Sequence, residues 1–156
     1  YEMVIRDWSS DVCSSDLTGK LAILAGKAGG EILVMAKFLT SRDLIEALAE
    51  RHKAGVRIGI ILDPSNRGPG NAAAYMESLG VPVAYDVMPN DNRAMVVDRR
   101  FLALGSLGFS TTKEATQVAS MLIVDDPVAA EVVRKYFAGR YAQIRQISGG
   151  GTGPGR

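Results

Sequence analysis

Asp91-Asn92-Arg93-Ala94-Met95-Val96-Val97-Asp98-Arg99-Arg100-Phe101-Leu102-Ala103-Leu104-Gly105-Ser106 is the stretch on which the reading of the fold turns. Ala94 to Val97 and Phe101 to Leu104 are short apolar runs joined through the polar Asp98-Arg99-Arg100, so the pattern predicts a β-hairpin. Polar residues bracket the hairpin: Asp91 and Arg93 before it, Gly105 and Ser106 after it, and Asp98 at its turn.

Working outward, the same chain carries three longer strand signals. Glu31 to Ala36 and Val56 to Asp63 are nearly continuous apolar runs, as expected of strands buried on both faces. Val81 to Tyr85 is a third, with Pro82 suited to its beginning or to an edge, since proline has no amide for a ladder. Helical patterns separate them. Leu17 to Gly29 is one. Thr40-Ser41-Arg42-Asp43 opens another with a hydroxyl cap at Thr40 and an acid three residues on, and Leu44, Ala47, Leu48 and Arg51 continue at helical spacing until Gly55. Pro64 to Gly70 is a loop by composition, and Asn71 to Leu79 a short helix closed by Gly80. After the hairpin, Met121 to Val124 is a buried strand. Asp126-Pro127 then starts a final helix with an apolar stripe of Ala129, Val132, Val133, Tyr136 and Phe137. Strands alternating with helices imply an α/β sandwich on a mixed, largely parallel central sheet, with no internal repeat.

Residues 1–17, YEMVIRDWSSDVCSSDL, resemble the translation of an indexed sequencing adapter and are set apart from the fold. The natural gene is expected to begin further upstream. The segment holds the only Cys (Cys13) and the only Trp (Trp8), and its four acids against Arg6 give a net −3. The whole chain is +1, which leaves the other 139 residues at +4. That is mildly basic, short of the strong field of a dedicated nucleic-acid binder. A cysteine-free remainder excludes disulfides and thiolate zinc sites, and no apolar run reaches the ~18 residues of a membrane span. The expected organisation is one domain over 18–146 and a Gly-rich, disordered tail over 147–156.

The hairpin and its flanks resemble the signature of the phospholipase D superfamily, HxKxxxxD followed by GSxN, with key letters changed. The resemblance spans roughly residues 18–146 and is nearest to the short, single-motif bacterial nuclease branch. The order of features carries it: ILVMAKFLTS, AGVRIGIILDPSNR, LGVPV, the hairpin, GS, a polar loop, then LIVDDP into the last helix. It implies an α-β-α sandwich and a metal-independent, cofactor-free phosphodiester hydrolase. In that family a histidine attacks phosphorus, lysines and asparagines hold the phosphate, and two single-motif chains pair as a homodimer. It also implies a bacterial protein, exported or cytoplasmic.

This chain departs from the pattern at four matched positions. Asp91 stands at the histidine, Arg93 at the lysine, Gly108 at the asparagine, and Ala119 where the branch often carries a glutamate. Asp98, Gly105 and Ser106 remain. Asp91 pairs with Arg93 or a backbone amide, or it replaces the nucleophile, in which case two such carboxylates in a dimer raise each other's pKa. Arg93 keeps the charge in a planar fork. Ser106 is suited to donate to a phosphate oxygen or to bond Asp98, and no histidine is placed to make it a nucleophile. Lys37 and Arg67 follow strand ends and are candidate phosphate contacts beside Arg93 and Ser106. Asp63, Ser65 and Asn66 read as a ligand loop or as an ordinary turn. The single histidine, His52, reads as a solvated helix-end residue, and Lys113-Glu114 as a solvated surface.

Three functional readings follow from the residues. The first is a non-catalytic module for binding or dimerisation, with a residual anion pocket for nucleic acid or phospholipid head groups, held weakly. The second is a phosphodiesterase or endonuclease with an altered site. The third is a supporting half whose partner supplies the complete motif.

Overall fold

The computed structural model describes residues 14–68, 70–106 and 120–149, with side chains from Thr18 to Ser148. Its elements are helix α1 (Ser14–Gly26), strand β1 (Glu31–Ala36), helix α2 (Arg42–Lys53), strand β2 (Arg57–Leu62) and a 3-10 turn at Pro64–Asn66. Helix α3 (Ala72–Ser78) and strands β3 (Val83–Tyr85), β4 (Ala94–Val97), β5 (Phe101–Gly105) and β6 (Met121–Asp125) follow, and helix α4 (Pro127–Gly149) is the last described element.

The strands form one sheet in the order β3-β2-β1-β4-β5-β6. It is mixed, as expected. Two pairings are parallel (β1–β2, β2–β3) and three antiparallel (β1–β4, β4–β5, β5–β6), a larger antiparallel share than the sequence pattern suggested. The reason is local: β4, β5 and β6 lie side by side and alternate in direction.

Alternation along β1 sorts the core into two layers. Ile32, Val34 and Ala36 face α1, α2 and α3, together with Ile58, Ile60 and Leu62 of β2 and Leu44, Leu48 and Met76 of the helices. Leu33 and Met35 face α4, with Ile61, Ala84, Phe137 and Ile144. Both faces of the central strands are therefore buried, which is why they read as unbroken apolar runs. Gly59 makes room on the α4 side: a Cβ there would sit 3.1 Å from the ring of Phe137.

Several boundaries differ from expectation. Ser41, not Thr40, caps α2, its hydroxyl accepting from the Leu44 amide at 3.5 Å. The apolar stripe of α4 is Ala130, Val133, Phe137, Tyr141 and Ile144, while Val132 and Tyr136 are exposed. A stripe read from five closely spaced apolar residues spanned too wide an arc; the true one steps by three and four residues. Helix α1 begins at Ser14, inside the adapter-like stretch, and α4 continues through Gly149, past the expected boundary at residue 146. Gly108, Lys113, Glu114, Ala119, Cys13, Trp8 and the tail 150–156 lie outside the described residues.

Candidate anion site at one end of the sheet

Register decides which polar residues meet. β1 and β2 run parallel, so Lys37 and Asp63 leave the sheet at the same end. β4 runs against β1 with Met35 opposite Ala94, which brings Arg93 to that end as well. β5 returns with Leu104 opposite Ala94, adding Gly105 and Ser106, and Met121 opposite Gly105 adds Ser120.

At this end Asp91 is the meeting point of two cations. Its Oδ1 lies 3.0 Å from Lys37 Nζ and 3.9 Å from an Arg93 guanidinium nitrogen. Asp91 is three-quarters exposed, while Lys37 and Arg93 are mostly covered, at 34% and 25%. The Lys37 hydrogen bond, its charge and a smaller contribution from Arg93 hold the Asp91 carboxyl below the ordinary carboxylate value. It is therefore ionised at neutral pH, the opposite of what a general acid needs. Arg93 Nε is buried with no hydrogen-bond partner among the described residues, a donor left for an acceptor to satisfy.

A polar scaffold holds these residues. Asp63 is buried and accepts from the Ser65 amide at 2.8 Å, the Ser65 hydroxyl at 2.5 Å and the Asn90 amide at 2.7 Å. Burial pushes its carboxyl up, and Ser65, Asn90 and the nearby Lys37 charge more than reverse that. Asn66 donates from Nδ2 to the Lys37 and Asp63 carbonyls, which fixes the backbone at Lys37. Asn90 also donates to Asp86 at 3.3 Å, and its own carbonyl oxygen accepts from the Asn92 amide at 2.9 Å. Asp86 in turn is gripped by the Arg140 guanidinium of α4, with Nε at 3.0 Å from Oδ2 and a second nitrogen on Oδ1. Burial pushes the Asp86 carboxyl up; Arg140 and then the Val87 and Met88 amides bring it below its usual range. The whole 86–92 loop is thus clamped to the sheet and to α4.

Asp63, Ser65 and Asn66 consequently act as a turn and a brace. Asp86, Asn90 and Arg140 escaped the sequence reading. The available signals were an acid directly after β3, as at Asp63 after β2, and a charged residue three positions on from Phe137 along the buried face of α4.

Other expected members are elsewhere or differently engaged. Asp98 sits at the far end of β4, about 17 Å from Arg93 at ~3.3 Å of rise per residue. It forms the hairpin turn with Arg99, both at positive φ (52° and 57°). Its carboxylate accepts from the amides of Gly29, Gly30 and Glu31 at 2.9, 2.7 and 3.0 Å. Burial raises this carboxyl and the three amides more than offset it, leaving it below the ordinary value. Asp98 therefore ties the hairpin to the start of β1 and does not bond Ser106. The Ser106 oxygen accepts from the Ser120 amide at 3.1 Å, while its own amide donates to the Ser120 carbonyl at 3.0 Å. Arg67 lies over the Tyr85 ring at 5.3 Å and makes no ion pair with Asp91 among the described residues. His52 is not simply solvated: its Nε2 donates to the Leu79 carbonyl at 3.0 Å, tying the end of α2 to the end of α3. No group of three or more metal-ligating side chains occurs among the described residues, and no described helix is long and apolar enough to cross a membrane.

The depressed carboxyls predict an acid sensitivity. A group lowered in the folded state contributes its full stability above the unfolded value of about 3.9, and that contribution is lost as pH falls through the folded value. Asp63, Asp86 and Asp98 all have this sign. The urea midpoint should decline from about pH 5 downward and fall most steeply below pH 4. In Asp98→Asn the decline should be shallower; an equally steep profile would remove Asp98 from the account.

Comparison with known proteins agrees with this architecture. Residues 21–141 match the family described as cardiolipin synthase, PLD-like domain. No curated protein matches the chain. Among solved structures, the phospholipase D family member Nuc from Salmonella typhimurium aligns with TM-score 0.72 and 26% identity, over 80% of this chain and 86% of that one. NucT from Helicobacter pylori aligns with TM-score 0.76 and 16% identity, over 83% and 89%. TrmBL2, an archaeal chromatin protein, shares the fold at TM-score 0.64 and 13% identity, over 83% of this chain and 50% of that one. A family match across most of the length, on a sheet whose order brings Lys37, Asp91 and Arg93 to one end, identifies this chain as a member of the phospholipase D-like family.

Proposed function

We propose that this domain is a catalytically degenerate phospholipase D-like module that binds a phosphate-bearing ligand, or pairs with a second copy, without cleaving a phosphodiester. One observation carries the reading. The position matched to the family nucleophile is a carboxylate already neutralised by Lys37 and Arg93, the two cations that would otherwise receive a phosphate. An anion at that position repels the group it would have to attack. His52, the only histidine, is engaged with Leu79 on the layer of α2 and α3. What the site retains is partly covered positive charge, an unsatisfied Arg93 Nε and the Ser106 hydroxyl.

The ligand class is a nucleic-acid backbone or a phospholipid head group, held weakly and with salt-sensitive affinity. Gly108 and Ala119 belong to the same reading as further lost motif positions. The competing reading is a phosphodiesterase whose altered site uses Asp91, or whose partner completes the motif.

Hydrolysis of a chromogenic phosphodiester by residues 18–156 separates the two, run in EDTA and then with added divalent metal, beside Asp91→Ala. The expected result is no turnover under either condition. Turnover that vanishes in Asp91→Ala would make the domain an enzyme with a carboxylate-based site. Binding is read with a labelled single strand, where Lys37→Ala and Arg93→Ala should each weaken affinity about tenfold, on the order of the strength of charge-assisted contacts.

A further inference from the structure

We infer that Asp91 is the internal counter-anion of this pocket: its carboxylate competes with a ligand's phosphate for Lys37 and Arg93, and so sets how much negative charge a ligand must bring. The inference rests on the reading above, that these two cations form an anion pocket.

Three observations support it. Both ion pairs meet at one carboxylate oxygen, Oδ1, 3.0 Å from Lys37 Nζ and 3.9 Å from an Arg93 guanidinium nitrogen. The carboxylate therefore lies as a monoanion between the two cations. Second, Asp91 is three-quarters exposed, so its pairs are of the weak, solvent-screened kind that a better-placed anion displaces. Third, the backbone around it is held independently of the side chain. The Asn90 amide donates to Asp63, and the Asn92 amide donates to the Asn90 side chain. Asp91 can thus rotate away about its own side-chain bonds while Lys37 stays anchored through Asn66. Arg93 likewise stays in register with β5, its carbonyl accepting from the Gly105 amide at 3.3 Å.

Charge arithmetic sets the consequence. Lys37, Arg93 and Asp91 sum to +1, and removing the carboxylate leaves +2. A diester phosphate carries one negative charge, and it meets a pocket whose charge has already been half cancelled. The occupied pocket therefore disfavours isolated diesters. It favours ligands that present several phosphates together, since these displace the carboxylate with charge to spare.

The test uses the 156-residue chain and a fluorescein-labelled single strand of about 10 nucleotides, read by anisotropy across a salt series. Asp91→Asn keeps the shape and removes the charge. It should bind about tenfold tighter than the parent, corresponding to ~1.4 kcal/mol. Its log K against log salt should steepen by about 0.7, one more counterion released from a single strand. Adding Lys37→Ala to Asp91→Asn should abolish that gain. Arg134→Gln, in an ion pair with Glu131 and outside the pocket, should leave affinity where it was. If the parent binds and Asp91→Asn binds equally or more weakly, Asp91 is not a competitor and this inference is overturned, with the anion pocket intact. If no variant binds the strand or inorganic phosphate, the pocket itself is wrong and both readings fall.

Discussion

Replacing Arg140 with alanine is expected to destabilise the domain by about 3 kcal/mol, seen as a lower urea midpoint at unchanged slope. Arg140 forks onto both oxygens of Asp86, a carboxylate with only 4% of its side chain exposed. Removing the guanidinium strands that charge in the interior, and stranded buried charges are what make broken ion pairs costly. The loss stays at the lower end of the usual range because Asp86 keeps hydrogen bonds from Val87, Met88 and Asn90. Two comparisons sharpen the result. Arg134→Ala breaks a more exposed pair with Glu131 and should cost less than ~1 kcal/mol. Asp86→Asn combined with Arg140→Ala should recover part of the loss, since no charge is left behind. If Arg140→Ala cost no more than Arg134→Ala, the clamp between α4 and the 86–92 loop would carry no weight.

Gly105→Ala is the second large effect. A Cβ at Gly105 would lie 2.2 Å from the Ser120 carbonyl oxygen and 2.8 Å from Met121 Cα. Both are backbone, so no side-chain rotation can relieve the clash. Separating β5 from β6 at this end is the only accommodation, with an expected cost of about 3 kcal/mol. The paired bonds between Ser106 and Ser120 should be lost with it. The matched glycine in the family motif therefore has a steric reason that is independent of catalysis. Gly139→Ala is the natural control, because nothing lies within 4 Å of a Cβ there. In the middle of α4 that change should stabilise by roughly 0.5–1 kcal/mol. Equal stabilities for the two variants would mean that β5 and β6 do not approach so closely.

The difference between these glycines illustrates how much was legible. Gly55 and Gly80 were readable as helix stops, and both take the positive φ that such stops use (89° and 81°). Gly105 was readable only as part of a motif; its reason is a neighbour 15 positions on, across the sheet. The candidate site divides in the same way. Asp91 and Arg93 are two residues apart, and their pairing was expected from the sequence. Lys37 makes the shorter contact with Asp91, from 54 positions away. Asp98 shared a motif with Arg93 and was grouped with it, yet a four-residue strand places them at opposite ends of the sheet.

By itself the sequence determined the elements: which runs are strands, that Asp126 caps the last helix, and that the hairpin turns through Asp98-Arg99-Arg100. These are local properties, set by apolar periodicity, capping hydrogen bonds and backbone sterics within a few residues. Only the tertiary structure decided that Lys37, Asp91 and Arg93 share one end of the sheet and that Arg140 reaches Asp86. It also decided that Asp98 closes the opposite end. Strand direction and register made those choices. Both are fixed by burying two sheet faces at once, a condition on the whole chain that no single segment carries.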